Sequence, residues 1–305
     1  MFLGVKMSIF KVKINDMYSV NGNSYPADDP LYHMLLITGM DEHSERYEPF
    51  ALKLNEERIS VDVLDFFGQG QNAESIEKQE IWPKNAWNMM LDALKIHLEE
   101  LKKDGKPVFL MGHSMGSILV QNFLHRYPKT ADKVIIMGSL GPRGMLYSLC
   151  HHICKMFYRE KNDTKESKLM TSLILGRTNK RIKEPKTPFD WLSHDEENVK
   201  KYINDPYCGH YNTWGFYKEF TYGLSQLYKK SNLANLSKDE KIFLIAGEDD
   251  PIGGYGKLIK KLYNLYKKKG IEDVKVILYP NMRHEILNEE NKEIVINDII
   301  QFLLK

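Results

Sequence analysis

The sequence predicts a doubly wound α/β fold, in which helices cover both faces of a mostly parallel sheet. Short apolar runs that end in glycine or polar residues alternate with stretches of helical periodicity through most of the 305 residues. One such run, at residues 107–112, passes at once into a helical pattern. This strand–turn–helix unit is typical of a sheet whose strands end at a functional site.

Eight segments have the pattern of β-strands. The first two, residues 9–14 and 18–25, alternate as an edge hairpin does. The other six are nearly continuous apolar runs, as expected for strands buried on both faces, at residues 33–39, 59–67, 107–112, 133–139, 241–247 and 274–280. Helices are predicted between them, at residues 45–55, 81–103, 118–127, 255–269 and 289–304.

The alternation breaks between about Arg143 and Leu233, where aromatic residues, lysines and helix-like segments replace buried strands. An insertion of this kind between two sheet strands is expected to cover the strand ends at which such folds bind ligands. The sequence therefore predicts a core in two parts, residues 1–142 and 233–305, and a helical cap, or lid, at residues 143–232.

Composition excludes several classes of partner. The chain has 43 basic and 41 acidic side chains, well mixed, which gives no reason to expect nucleic acid as a partner. Three cysteines make no disulfide framework, no signal-peptide pattern opens the chain, and no apolar run approaches the ~18 residues of a membrane span. We expect a cytoplasmic protein without an integral membrane segment or cofactor, and the oligomeric state stays open.

One segment has possible metal ligands. Cys150, His151 and Cys154 lie close together on one predicted helix. No second ligand cluster follows at a zinc-like spacing, so structural cysteines are the favoured interpretation and no metal site is predicted.

The turn after the strand at 107–112 has the pattern G-x-S-x-G, from Gly112 through Ser114 to Gly116. In a strand–turn–helix unit this pattern gives the serine a strained backbone that projects its hydroxyl above the sheet. A Cβ at either glycine would collide with the neighbouring strand or helix. Ser114 is therefore the predicted nucleophile.

A serine nucleophile needs a base and an acid, which follow it along the chain in this fold class. His284 follows the last predicted strand and is the predicted base. The acid follows the strand at 241–247, where Asp249 and Asp250 are both candidates. Asp250 is favoured because it precedes a proline, which promotes an extended backbone and a projecting side chain.

Acyl transfer also requires main-chain donors for the oxyanion of the tetrahedral intermediate. The amide of Met115, directly after the nucleophile, is one predicted donor. The loop that follows Thr38 and Gly39 supplies the other, for which the amide of Met40 is predicted.

These segments resemble the serine hydrolases of the monoacylglycerol lipase and bacterial lysophospholipase group, within the α/β-hydrolase superfamily. The resemblance is carried by residues 39–47, 65–70, 112–117, 247–251 and 279–285, and more loosely by 205–209 in the cap. It implies an α/β-hydrolase fold with a mobile cap over a hydrophobic tunnel. It also implies Ser114, Asp250 and His284 as a catalytic triad, with Met40 and Met115 as oxyanion donors.

Two positions depart from the family pattern. Thr38 stands where the family has the histidine of a His-Gly pair, and Gln69 replaces a second histidine in the loop at 65–70. Both replacements are polar and leave the backbone donors in place.

The predicted function is hydrolysis of carboxylic esters of acyl lipids, monoacylglycerol or lysophospholipid, through an acyl-enzyme. A peptidase of the proline-iminopeptidase kind shares the fold and the triad. It would need acidic side chains in the cap for a substrate's amino group, and residues 195–197 form the densest such cluster. The remaining alternative is a non-catalytic α/β-hydrolase that binds a ligand or a protein.

Overall fold

A twisted sheet forms the centre of the molecule. The computed structural model describes residues 7–305, and in this range the sheet has eight strands in the order β1-β2-β4-β3-β5-β6-β7-β8. The strands are β1 Ser8–Lys13, β2 Ser19–Tyr25, β3 Tyr32–Ile37, β4 Ile59–Leu64, β5 Val108–His113, β6 Lys133–Met137, β7 Ile242–Gly247 and β8 Val274–Tyr279. β1 and β2 are antiparallel to their neighbours, and every other pair is parallel. The predicted fold class is confirmed.

The strands are apolar on both faces, as their continuous apolar runs predict. Along β3, Met34 and Leu36 pack into the core on one side of the sheet, whereas Leu35 and Ile37 pack into the core on the other. All four side chains are inaccessible to solvent. Full burial of a side chain of this size contributes roughly 1.5–3 kcal/mol.

Helices cover the two faces. One face carries α1 Glu48–Glu56 and α10 Lys292–Leu304, whose buried residues join the same core as Met34. The other face carries α2 Ala86–Leu101, α3 Met115–Arg126 and α9 Lys257–Lys268. Helices on both sides complete the predicted doubly wound arrangement.

The helix predicted to start at residue 81 begins instead at Ala86. Asn85, just before it, has a left-handed backbone with φ of 66°. Trp82 is buried and stacks on Phe66, with ring centroids 5.4 Å apart. The apolar residues at 81 and 82 therefore belong to a buried loop that passes over the end of β4.

A helical segment lies between β6 and β7. Its helices are α4 Leu146–Phe157, α5 Lys168–Leu175, α6 Glu196–Asn204, α7 Trp214–Gln226 and α8 Lys230–Leu233. α7 rests on α2 at Gly223, where an added Cβ would overlap the Trp87 indole. We call residues 143–232 the helical insert; their treatment as a separate cap domain, and the boundaries of that domain, stay a prediction.

The carboxyl ends of β3, β5, β7 and β8 face the helical insert. The loops that follow these strands line one cavity together with residues of the insert. Ligands of open parallel sheets bind at this end of the strands. Across residues 7–305, no helix combines the length and the apolar character that a membrane span requires.

Candidate active site

Ser114 lies on a sharp, strained turn between β5 and α3. Its φ of 50° and ψ of −116° are rare for a residue with a Cβ, and its amide is held by Met137 O at 3.0 Å. An added Cβ at Gly112 would lie 2.5 Å from the Gly116 carbonyl oxygen, and one at Gly116 would overlap the carbonyl of Ile37. The two glycines therefore permit the close approach that keeps Ser114 above the sheet.

His284 and Asp250 form a buried pair in the loops after β8 and β7. His284 Nδ1 lies 3.1 Å from Asp250 Oδ1, which also accepts a 2.8 Å hydrogen bond from the Ile252 amide. Gly247 lets the two loops meet, since a Cβ there would overlap the Met282 carbonyl. Within residues 7–305, no group hydrogen-bonds His284 Nε2, so this nitrogen is available to a hydroxyl or a substrate.

The two candidate aspartates, of which the sequence favours Asp250, differ in burial and in contacts. Asp250 is inaccessible to solvent and contacts His284. The Asp249 side chain is 49% exposed and lies 3.0 Å from His194 Nε2, away from His284. Only the carboxylate of Asp250 is therefore positioned to orient the His284 ring.

The loop after β3 runs beside Ser114. An added Cβ at Gly39 would lie 3.1 Å from Ser114 Cβ, which measures how closely the loop approaches. Met40 and Met115 follow Gly39 and Ser114, and both line the same cavity. In the described part of the chain, nothing accepts a hydrogen bond from either of their amides. The oxyanion role of these two amides stays a prediction, and their free N–H groups beside a serine are compatible with it.

The helical insert anchors this loop at Asp41, which has a left-handed backbone with φ of 58°. The Asp41 carbonyl accepts hydrogen bonds from the Tyr202 hydroxyl at 2.9 Å and the Gly209 amide at 3.2 Å. Asn212 donates to the Asp41 carboxylate at 2.9 and 3.1 Å. Burial raises the pKa of Asp41 to about 7, although the Asn212 amide acts in the opposite direction.

A buried ionic network, to which the sequence analysis assigned no role, holds the loop from the other side. Glu42 accepts hydrogen bonds from the Gly39 amide, from the Tyr47 hydroxyl at 2.7 Å and from His113 Nδ1 at 2.9 Å. Arg46 donates to Glu42 at 2.8 Å and forms two 2.8 Å hydrogen bonds with the Glu285 carboxylate. The sequence offers one clue to this network. His113 directly precedes the predicted nucleophile Ser114, and Glu285 directly follows the predicted base His284.

Each charged group in this network favours the charged form of its oppositely charged neighbours. Burial alone would raise the pKa of Glu42, but His113, Arg46 and Tyr47 together lower it well below its usual range. Burial likewise opposes charge on His113, yet the Glu42 carboxylate raises the pKa of that imidazole. The network therefore places a stable carboxylate directly behind the Gly39 amide.

The two positions that depart from the family pattern are both buried. Thr38 Oγ1 lies 3.4 Å from the Leu64 carbonyl. The side-chain oxygen and nitrogen of Gln69 have no hydrogen-bond partner among residues 7–305. Neither side chain lines the cavity at Ser114.

A cavity of about 700 Å³ opens above Ser114, and most of its lining surface is apolar. Core residues such as Met40, Met115 and Ile118 form its floor, and Ile174 and Leu175 of α5 form part of its roof. Aromatic residues of the insert also face the cavity. Those that line the cavity are Phe189, Trp191, Tyr202, Tyr211 and Phe220. Trp191 also packs against the His284 ring, with centroids 4.9 Å apart.

Comparison with known proteins places the chain among proteins with this architecture. The Hydrolase_4 family model, described as serine aminopeptidase S33, matches residues 28–291. A monoacylglycerol lipase of Mycolicibacterium smegmatis is 20% identical over 298 residues, covering 92% of this chain and 90% of the relative. The human monoglyceride lipase is 33% identical over 96 residues, which cover 31% of this chain and 30% of the relative.

Solved structures of other proteins have the same fold as this chain. A thermostable carboxyl esterase from Bacillus coagulans, in complex with glycerol, superposes with a TM-score of 0.88 at 25% identity, covering 97% of each chain. A soluble variant of the Saccharomyces cerevisiae monoglyceride lipase, bound to a substrate analogue, gives a TM-score of 0.71 at 19% identity. That alignment covers 99% of this chain and 96% of the yeast one, and it shows the fold alone. The family match spans most of the described chain and includes all the residues of the site, and the chain belongs to the Hydrolase_4 family of α/β-hydrolases.

Proposed function

We propose that this chain is a serine hydrolase that cleaves carboxylic esters of acyl lipids, monoacylglycerol or lysophospholipid, through an acyl-enzyme. The observation that carries the proposal is the position of Ser114 under an apolar cavity, beside a buried His284–Asp250 pair and two free amides. The relatives named as a monoacylglycerol lipase and as a carboxyl esterase support the same reaction class.

The proposed reaction follows from these positions. His284 Nε2 takes the proton of the Ser114 hydroxyl as its oxygen attacks the ester carbonyl. The amides of Met40 and Met115 stabilise the resulting oxyanion, and His284 returns the proton to the leaving alcohol. Water then repeats the sequence on the acyl-enzyme and releases the carboxylic acid.

Asp250 has a supporting role in this scheme. Its carboxylate accepts from His284 Nδ1, which fixes the tautomer that leaves Nε2 free to act as base. It also stabilises the imidazolium that forms when His284 takes the proton.

The cavity favours an acyl chain over a charged substrate. Its lining surface is predominantly apolar, and a volume of about 700 Å³ is in the range of small-molecule binding pockets. We propose residues 143–232 as the cap domain that closes over the acyl chain. The cytoplasmic location predicted from the sequence remains part of this proposal.

The family description also names an aminopeptidase, so the peptidase alternative has an observation of its own. An aminopeptidase needs a free carboxylate facing the cavity to bind the substrate's amino group. The carboxylates that line the cavity are already paired, Glu42 and Glu285 with Arg46 and Asp41 with Asn212. The acidic cluster at 195–197 begins α6 and lies outside the cavity lining. Ester hydrolysis is therefore the favoured activity.

The test is hydrolysis of p-nitrophenyl esters and monoacylglycerols of increasing chain length, beside aminoacyl amides. We expect ester activity with a chain-length optimum, and a loss of at least ~10³-fold in kcat for Ser114→Ala. Ser8→Ala, at an exposed position on β1, is the matched control and should retain full activity.

Three results would contradict the proposal. Preferential cleavage of aminoacyl amides would favour the peptidase. An unimpaired Ser114→Ala variant would exclude the triad mechanism. Inactivity of the wild type on every substrate would favour the non-catalytic alternative.

A further inference from the structure

A second cluster of chemically reactive side chains lies outside the cavity above Ser114. It consists of His43, in the loop after β3, together with Asp205 and Cys208 in the turn after α6. None of the three lines that cavity. The cluster joins parts of the chain that are 162 residues apart, one from the core and one from the helical insert.

The three side chains converge on one point. His43 Nε2 lies 2.8 Å from Asp205 Oδ2, and one ligand atom from each side chain lies within 4.8 Å of the others. In a tetrahedral zinc site, with bonds of about 2.0–2.3 Å, neighbouring ligand atoms are roughly 3.3–3.8 Å apart. Small side-chain rotations would bring the cluster to this geometry.

The backbone around the cluster is already fixed. The Cys208 amide donates to the Asp205 carbonyl at 3.1 Å, which closes the turn and brings the carboxylate and the thiol together. Tyr207 donates its amide to Asp205 Oδ1 at 2.9 Å, so the other oxygen, Oδ2, is directed toward His43. The Gly209 amide ties this turn to the Asp41 carbonyl, two residues before His43.

We propose that His43, Asp205 and Cys208 bind a divalent transition-metal ion, with Zn²⁺ as the favoured occupant. Imidazole, carboxylate and thiolate are all ligands of Zn²⁺, and the thiolate disfavours Mg²⁺ and Ca²⁺. The Asp205 side chain is 25% exposed, which leaves room for water at a fourth position. The inference does not depend on the proposed ester hydrolysis.

Binding has a defined proton balance. The Cys208 thiol is free and buried, and its proton passes to solvent when the sulfur bonds the metal. His43 takes the tautomer with its proton on Nδ1, which frees the Nε2 lone pair without a net change in its protons. Asp205 Oδ2 and His43 Nε2 then exchange their mutual hydrogen bond for bonds to the ion. The negative charges of Asp205 and the new thiolate then balance the two positive charges of the metal.

The ion would connect the loop that carries Met40 to the helical insert. Because it binds the folded chain through residues far apart in sequence, it stabilises that state by mass action. At ~100-fold excess over Kd, we expect the melting temperature to rise by about 5 °C.

The test uses Co²⁺ as a spectroscopic probe on the full chain. We expect one Co²⁺ per chain, with a thiolate-to-metal charge-transfer band that added Zn²⁺ removes. Cys208→Ser should abolish the band, whereas the matched variant Cys150→Ser should retain it. His43→Gln keeps the thiol and should weaken Co²⁺ binding by at least ~10-fold. Circular dichroism and melting confirm that each variant is folded.

A wild type without a thiolate band at one equivalent overturns the proposal. So does a band that survives Cys208→Ser or disappears in Cys150→Ser, since the metal would then be held elsewhere. Should Cys208→Ser fail to fold, His43→Gln and the Zn²⁺-dependent rise in wild-type melting temperature decide the question.

Discussion

The central sheet and the helical insert differ in how completely they bury their apolar side chains. Strands β3 to β7 bury their large apolar side chains almost completely between two layers of helices. The insert instead leaves many large apolar side chains exposed along α4 and α5. These are Met145, Leu146, Leu149, Met156, Phe157, Leu169 and Leu173.

This difference in burial corresponds to two roles, the positioning of the candidate catalytic residues and the lining of the cavity. The sheet and its loops hold Ser114, His284 and Asp250 within a network of buried contacts, where small displacements are costly. The insert contributes cavity residues such as Leu175 from helices with fewer buried neighbours. We therefore expect changes in the core to affect the reaction itself, and changes in the insert to affect which substrates react.

The largest effect is expected at Asp250. Asp250→Asn keeps the shape but removes the charge that orients His284, so kcat should fall about 10⁴-fold with little change in KM. Asp249→Asn, the adjacent and half-exposed control, should stay within about twofold of wild type. Steady-state kinetics on the preferred ester measures both. Equal losses in the two variants would show that the His284–Asp250 contact is not the functional one.

The next effect concerns the stability of the core and its dependence on pH. Glu42→Gln breaks a buried ionic network, which should cost about 3 kcal/mol near neutral pH. Because the folded pKa of Glu42 is lowered, its carboxylate stabilises the fold above the usual glutamate pKa of about 4.5, and this contribution is lost as the pH falls below that value.

Urea unfolding between pH 7 and pH 3 tests this prediction. The wild type should lose more stability toward acid than Glu42→Gln, whose side chain does not titrate. Glu45→Gln, at an exposed position in the same loop, should follow the wild type. Parallel curves for wild type and Glu42→Gln would refute the assigned charge state.

The smallest effect is expected in the insert. Leu175→Trp adds volume inside the cavity, so the optimal acyl chain should shorten and kcat/KM for long chains should fall about tenfold. Leu173→Trp, two residues away and 54% exposed, should leave the chain-length profile unchanged. A uniform loss over all chain lengths would instead point to damage to the reaction centre.

Local sequence patterns predicted the fold and much of the candidate site. The apolar runs predicted eight strands near their observed positions, because parallel strands buried on both faces need nearly continuous apolar side chains. The start of α2 was placed five residues early, since the apolar residues at 81 and 82 serve a buried loop. Local patterns favoured Asp250 over Asp249 only through the proline that follows it, whereas the tertiary structure separates the two by burial and by distance to His284.

The sequence by itself determined the strand–turn–helix unit at Ser114 and the order in which serine, aspartate and histidine follow the strands. These features are local, because a strained turn requires glycines at fixed spacing. The tertiary structure alone decided which side chains line the cavity, how Glu42 meets Arg46 and Glu285, and that His43 meets Asp205 and Cys208. Such contacts join residues up to 239 positions apart, and the packing of loops and insert sets them.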